Sequence, residues 1–240
     1  MTAQQAPRYA SDFHYFANPV RGAKALMSAG RHLGMINTPK QGNKIPPGSW
    51  WIADNGRGPG KEGVITGGCG KGWVGGEKFL AWLGKFTAEE RDRCVFATAP
   101  DVVGDAAATL EMSRPYFGQI RALGFAVAYV LQDGQEDVPV PWDEVDAIFI
   151  GGSDDFKLGA YCAQLVAEAK RRGLWVHKGR VNSRKRMLIA HSFGCDSADG
   201  TWLLAGARAG IPNLHLPKVM AHLSEINNTQ PVRATLALTA

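Results

Sequence analysis

Eight short apolar runs recur along this chain, separated by longer segments of helical period or by turn residues, and this alternation restricts the fold more than any other feature. The runs are Phe13–Ala17, Met35–Asn37, Trp50–Ala53, Val95–Ala99, Ala126–Leu131, Ala147–Ile150, Trp175–His177 and Cys195–Ala198. Helices are expected over Val20–His32, Glu77–Lys85, Asp105–Leu123, Phe156–Arg172 and Ser183–Phe193, with one more over Leu216–Ile226. Their ends carry start and stop signals. Thr87 and Glu90 spell a capping box, Asp105 and Ser183 are good N-caps, and Gly124, Gly173 and Gly194 sit where a helix ends in a left-handed residue. Strands joined by helical crossovers run parallel. Eight such units in 240 residues fit a compact α/β (β/α)8 TIM-like barrel, usually about 250 residues long. A doubly wound open sheet is the alternative, because counting units does not show closure. No internal repeat or linker divides the chain, so residues 1–240 are read as one domain.

Composition narrows the class further. Hydrophobic residues make up 45% and charged residues 20%, which excludes intrinsic disorder. No run approaches the roughly 18 apolar residues of a membrane helix, and the first residues lack the apolar core of a secretory signal. A cytoplasmic protein with no membrane partner is expected. The four cysteines, Cys69, Cys94, Cys162 and Cys195, form no C-x-x-C pair, so neither a metal site nor a cofactor is expected. Ten of the 29 glycines fall between Gly56 and Gly76. That insertion, 56–76, reads either as a flap over a nucleic acid or as a disordered segment, and Trp73 within it is placed for base stacking. The tail 227–240 is read as loosely held.

The net charge is +5, and between Lys170 and Arg186 there are eight Lys or Arg and no acid. Lys170, Arg171 and Arg172 read as the solvated end of a helix. Lys178, Arg180, Arg184 and Lys185 are the candidate contacts to a nucleic-acid backbone. His177 lies near the same rim, but alternation along a strand leaves it facing either the barrel or the helices.

In an α/β barrel the site forms at the carboxyl ends of the strands. The residues just past the runs include Asp54, Asp101, Gln132, the pair Gly151 and Gly152, and Asp199. Two carboxylates facing one substrate suit a nucleophile and a general acid/base, as in cleavage of a glycosidic bond with retention. A third carboxylate and an amide suit the polar edge of a base, and a glycine pair admits close backbone approach.

Six pieces in order resemble the guanine transglycosylases that insert 7-deazaguanine bases. They are Trp51–Gly56, Ala99–Asp101, Val130–Gln132, Ile148–Gly152, Val176–Ser183 and Gly194–Gly200, within about residues 13 to 205. The chain looks most similar to the short, bacteriophage-type members grouped with the DNA-guanine transglycosylases. The resemblance implies that Asp199 is the nucleophile on C1′ and Asp54 the acid/base. It also implies that Asp101, Gln132, Gly151 and Gly152 bind the base. The implied partners are DNA and a 7-deazaguanine such as preQ0 or a derivative. Transfer-RNA members of the family carry a C-x-C-x-x-C plus His zinc site near the C-terminus, and here no cysteine follows Cys195. Without that zinc subdomain DNA is the expected substrate. The same exchange on tRNA, and a catalytically silent barrel that binds a nucleic acid or a deazapurine, stay open, as does a homodimer.

Overall fold

The computed structural model describes residues 12–20, 22–30, 32–57, 73–207 and 215–228. Eight parallel strands close into a barrel in sequence order. They are β1 (His14–Ala17), β2 (Leu33–Asn37), β3 (Trp51–Ala53), β4 (Cys94–Thr98), β5 (Val127–Leu131), β6 (Ala147–Ile150), β7 (Trp175–Lys178) and β8 (Ser197–Asp199). Closure is made by β1 against β8, with His14 opposite Ser197 and Phe16 opposite Asp199. The barrel is therefore the architecture, and the open sheet is excluded.

Alternation along these strands sorts side chains into two apolar clusters. Phe16, Ile36, Ile52, Phe96, Ala128 and Ala147 fill the barrel, with Phe149 and Trp175 packed against them. Their sequence neighbours Tyr15, Met35, Trp51, Ala97, Tyr129, Ile148 and Val176 face the helix shell. Burial on both faces is what continuous apolar runs demand of a parallel sheet.

The shell contains α1 (Ala23–Ser28), α2 (Gly76–Leu83), α3 (Ala88–Asp92), α4 (Ala106–Ala122), α5 (Asp154–Leu158), α6 (Ala160–Arg171), α7 (Arg184–Phe193), α8 (Trp202–Ala207) and α9 (His215–Asn228). The expected caps form. Thr87 and Glu90 make the capping box of α3, the Asp105 side chain accepts from Ala108 N–H, and Ser183 accepts from Arg186 N–H.

Three expectations need correction. The helix expected over Val20–His32 is confined to α1, with Gly22 and Gly30 in left-handed conformations on either side. The helix expected over Phe156–Arg172 is two helices, because Gly159 is extended. The ammonium of Lys178 takes the carbonyl of Lys157 near the end of α5. The tail expected to be loose from residue 227 begins inside α9. There Asn227 accepts from Phe13 N–H at 2.6 Å and donates to Phe13 O at 3.0 Å. Residues 229–240, and 58–72 of the glycine-rich insertion, lie outside the described residues. Among the described residues no helix is long and apolar enough to cross a membrane.

Candidate active site

The alternation that fills the barrel also aims the site. Two positions beyond inward-facing Ile52, Val130 and Phe149 stand Asp54, Gln132 and Gly151, and two beyond Ser197 stands Asp199. Asp54, Asp101, Gln132, Gly151, Gly152 and Asp199 all line one cavity of about 190 Å³. This is smaller than the roughly 300–1,000 Å³ of drug-sized pockets and suits a single ring system. Every residue expected to be catalytic or to bind the base is thus brought together.

Asp199 ends β8 and is held through one oxygen. Its Oδ1 lies 3.1 Å from Nε2 of His177 and accepts from Arg180 N–H at 3.3 Å. Oδ2 has no hydrogen-bond partner among the described residues. His177 is fully buried and faces the barrel, with its ring 4.6 Å from that of Phe149 and 5.5 Å from that of Phe96. Its Nδ1 is 2.8 Å from Ser197 Oγ, and that oxygen accepts from Trp175 Nε1–H at 2.8 Å. Because indole only donates, the serine hydroxyl hydrogen is left for Nδ1, and an imidazole that accepts there presents Nε2–H to Asp199. His177 is the residue the sequence left undecided; its parity with Trp175 and Ser197 is the signal that settles it. The loop above is tied down by Val181 N–H donating to Asp199 O at 2.6 Å and by Tyr15 Oη donating to Val181 O at 2.9 Å.

Asp54 follows β3, and its Oδ1 accepts from Gly56 N–H at 2.7 Å. Burial pushes its carboxyl up to about 7; the Gly56 bond opposes this, and the negative charges of Asp199 and Asp101 add to it. Asp101 is 5% exposed. Its Oδ1 accepts from Asn55 Nδ2 at 2.9 Å and its Oδ2 from Gln132 Nε2 at 2.7 Å. Burial raises its pKa, while Asn55, the charge of Arg57 and Gln132 hold it back. Gln132 is oriented at both ends, since its Oε1 accepts from Gly104 N–H at 2.9 Å. Asn55 is a missed member of this set: the sequence placed it beside Asp54 without assigning it a role.

The glycine pair is explained first by protein packing. A Cβ on Gly151 would lie 2.8 Å from Val130 Cγ1 and 2.9 Å from Gln132 Nε2, so glycine leaves space for the amide itself. Gly152 has φ +78°, and a Cβ there would meet Asp133 Oδ2 at 2.7 Å. Asp133 in turn accepts from Ser153 N–H at 2.8 Å and bonds the Ser153 hydroxyl.

The candidate backbone contacts divide. Arg180 is exposed and lines the cavity, in a left-handed conformation at φ +63°. Lys178 is a correction. It alternates with His177 and so points into the helix shell, 2% exposed, with Nζ bonded to Lys157 O at 2.6 Å and lying over the Phe193 ring. Arg184 pairs with Glu225 on α9, and exposed Lys185 does not line the cavity. The helix-end reading of Lys170, Arg171 and Arg172 holds: they pair with Asp196, Glu168 and Asp143. Trp73 is half-buried against Phe79, and the Arg57 guanidinium lies 4.9 Å from its ring centroid. Lys157, which the sequence reading passed over, lines the cavity at 3% exposure.

No family model matches the chain, and no curated protein matches it. Among solved structures, the tryptophan synthase alpha-subunit of the hyperthermophile Pyrococcus furiosus is similar over 90% of this chain and 97% of its own, at 10% identity and a TM-score of 0.50. A mutant of that subunit matches over 90% of this chain and 98% of its own, at 12% identity and a TM-score of 0.51. At such identity the likeness is one of fold, and the fold shared is the closed eight-stranded α/β barrel.

Proposed function

We propose that this chain is a pentosyltransferase that exchanges guanine in DNA for a 7-deazaguanine base with retention, through a covalent ester on Asp199. The observation that carries the reading is the content of one small cavity. It holds a carboxylate with one oxygen that has no donor among the described residues (Asp199), a carboxyl raised to near neutrality (Asp54), and an oriented carboxylate and amide (Asp101 and Gln132).

In the first half-reaction Oδ2 of Asp199 attacks C1′ and the C1′–N9 bond breaks. Asp54, protonated, gives its proton to the departing guanine. The His177 and Arg180 N–H groups hold Oδ1, so the attacking oxygen is presented in a fixed orientation as positive charge builds on the sugar. In the second half-reaction Asp54, now a carboxylate, takes the N9 proton of the incoming base. N9 then bonds to C1′ and the ester to Asp199 breaks. A carboxyl near pH 7 serves as acid and base in turn. Asp101 and Gln132 discriminate the base, because a buried donor and acceptor set left unpaired by a wrong ligand costs far more than an apolar slot would.

The test is incubation of the protein with guanine-containing DNA and preQ0, with transfer RNA in a parallel arm, followed by nucleoside mass spectrometry. The reading expects the deazaguanine nucleoside in DNA and none with Asp199→Asn. Incorporation only into tRNA would move the assignment to that substrate, and full exchange by Asp199→Asn would remove the nucleophile.

A further inference from the structure

Two lysines are almost fully buried, Lys157 at 3% and Lys178 at 2% exposure, and Lys178 Nζ donates to Lys157 O. Two arginines adjoin them: Arg186 Nη1 donates to Arg180 O at 3.4 Å. Among the described residues, Asp154 is the one carboxylate with which any of these four cations pairs. It lies 3.4 Å from Lys157 Nζ and is bonded by both Nη atoms of Arg186. A buried ammonium is costly without full compensation, and four cations around one carboxylate leave it incomplete. Burial lowers the Lys157 pKa, Asp154 opposes this, and the charges of Arg180 and Arg186 lower it further.

The excess is directed at the cavity. Lys157 and Arg180 both line it, and Arg180 makes no ion pair with the described residues. Its left-handed backbone, rare outside glycine, lets its N–H touch Asp199 while its side chain stays at the mouth. A strand whose C1′ meets Asp199 Oδ2 would carry its adjacent phosphate past these two cations.

We propose that Lys157 and Arg180 form a phosphate subsite that holds the phosphodiester beside the reacting nucleotide. The position of the sugar rests on the base-exchange reading, but occupancy of the subsite is measurable without exchange.

The experiment titrates a short guanine-containing single-stranded DNA, and separately inorganic phosphate, into the wild-type protein, Arg180→Gly and Lys157→Gln. Glycine adopts φ +63° without strain, so the arginine variant is expected to fold. Each variant should bind the oligonucleotide about tenfold more weakly, with the slope of log K against log[salt] reduced by about 0.7 per lost contact. A neutral methylphosphonate at one linkage flanking the guanosine should weaken the wild type by a similar factor. It should weaken Arg180→Gly by less than it weakens the wild type, because there only Lys157 still meets the phosphate. Unchanged affinity and slope in both variants, or a methylphosphonate loss that adds in full to that of Arg180→Gly, would overturn the subsite. Phosphate binding lost in the variants, with oligonucleotide binding insensitive to them, would overturn the phosphodiester and leave a free-phosphate site. Expected binding without any base exchange keeps the subsite and removes the exchange reading; exchange with insensitive binding does the reverse.

Discussion

Nε2 of His177 lies 3.1 Å from Oδ1 of Asp199, at the end of a buried chain that runs from Trp175 Nε1 through Ser197 Oγ to the imidazole. Every atom in the chain comes from inward-facing positions of β7 and β8, so strand parity alone aligns it. If the chain orients the carboxylate, His177→Ala should lower kcat about 10²-fold, the scale for losing one donor to a reacting oxygen, with KM little moved. His177→Gln, whose amide can reach the Nε2 position, should recover part of the loss. In the wild type the imidazole nitrogen shifts should report a proton on Nε2, and Ser197→Ala should mix the tautomers. Equal activity of the Ala and Gln variants would leave His177 a packing residue.

Asp54 gives a pH prediction. Burial raises its carboxyl to about 7 from an ordinary value of 3.8. The native state therefore holds a proton that the unfolded chain releases, and this contribution to stability is full below pH 3.8 and lost as the pH rises through 7. Asp54→Asn should accordingly raise Tm at pH 8, with the gain fading toward pH 4, while exchange falls by about 10²–10⁴-fold for loss of a general acid/base. A thermal-melt series across that range decides it; a gain that is constant with pH would place the titration elsewhere.

How far the sequence reveals this site depends on whether parity can be anchored. Asp54, Gln132 and Asp199 follow inward-facing positions and are legible as residues just past apolar runs. His177 and Lys178 are adjacent, and one residue of register exchanges their faces. The run Trp175–His177 alone cannot say which enters the barrel; the pairing of β7 with β8, which sets His177 opposite Ser197, does. Lys157 is illegible for another reason: it stands on α5 just before the break at the extended Gly159, and its carbonyl meets an ammonium from β7, a contact between positions 21 apart. Ion pairing is equally invisible in composition, since Arg184 meets its Glu225 partner across 41 positions.

Gly151 provides a test of base discrimination. A Cβ there would meet Val130 Cγ1, Gln132 Nε2 and Leu131 O at 2.8, 2.9 and 3.1 Å, and the carbonyl cannot yield cheaply. Gly151→Ala should displace the Gln132 amide, cost about 1–3 kcal/mol of stability as overpacking does, and raise KM for the incoming base more than it lowers kcat. Steady-state kinetics with a deazaguanine at fixed DNA measures the split. Loss confined to kcat would mean that the amide does not read the base.

Lys178 separates buried from surface charge. Its ammonium is 2% exposed, lies 4.3 Å from the centroid of the Phe193 ring and donates to Lys157 O, so it offers nothing to a phosphate. Burial lowers its pKa, and no carboxylate among the described residues pairs with it. Lys178→Met preserves the length of the stem and its contact with Phe193 while removing the charge. The variant should bind single-stranded DNA with the wild-type affinity and an unchanged salt slope, because counterions are released only by cations that reach the backbone. Anisotropy titrations at several salt concentrations, run beside Arg180→Gly, make the comparison internal. A slope reduced as much by Lys178→Met as by Arg180→Gly would mean that long-range charge, rather than contact at the cavity mouth, governs binding.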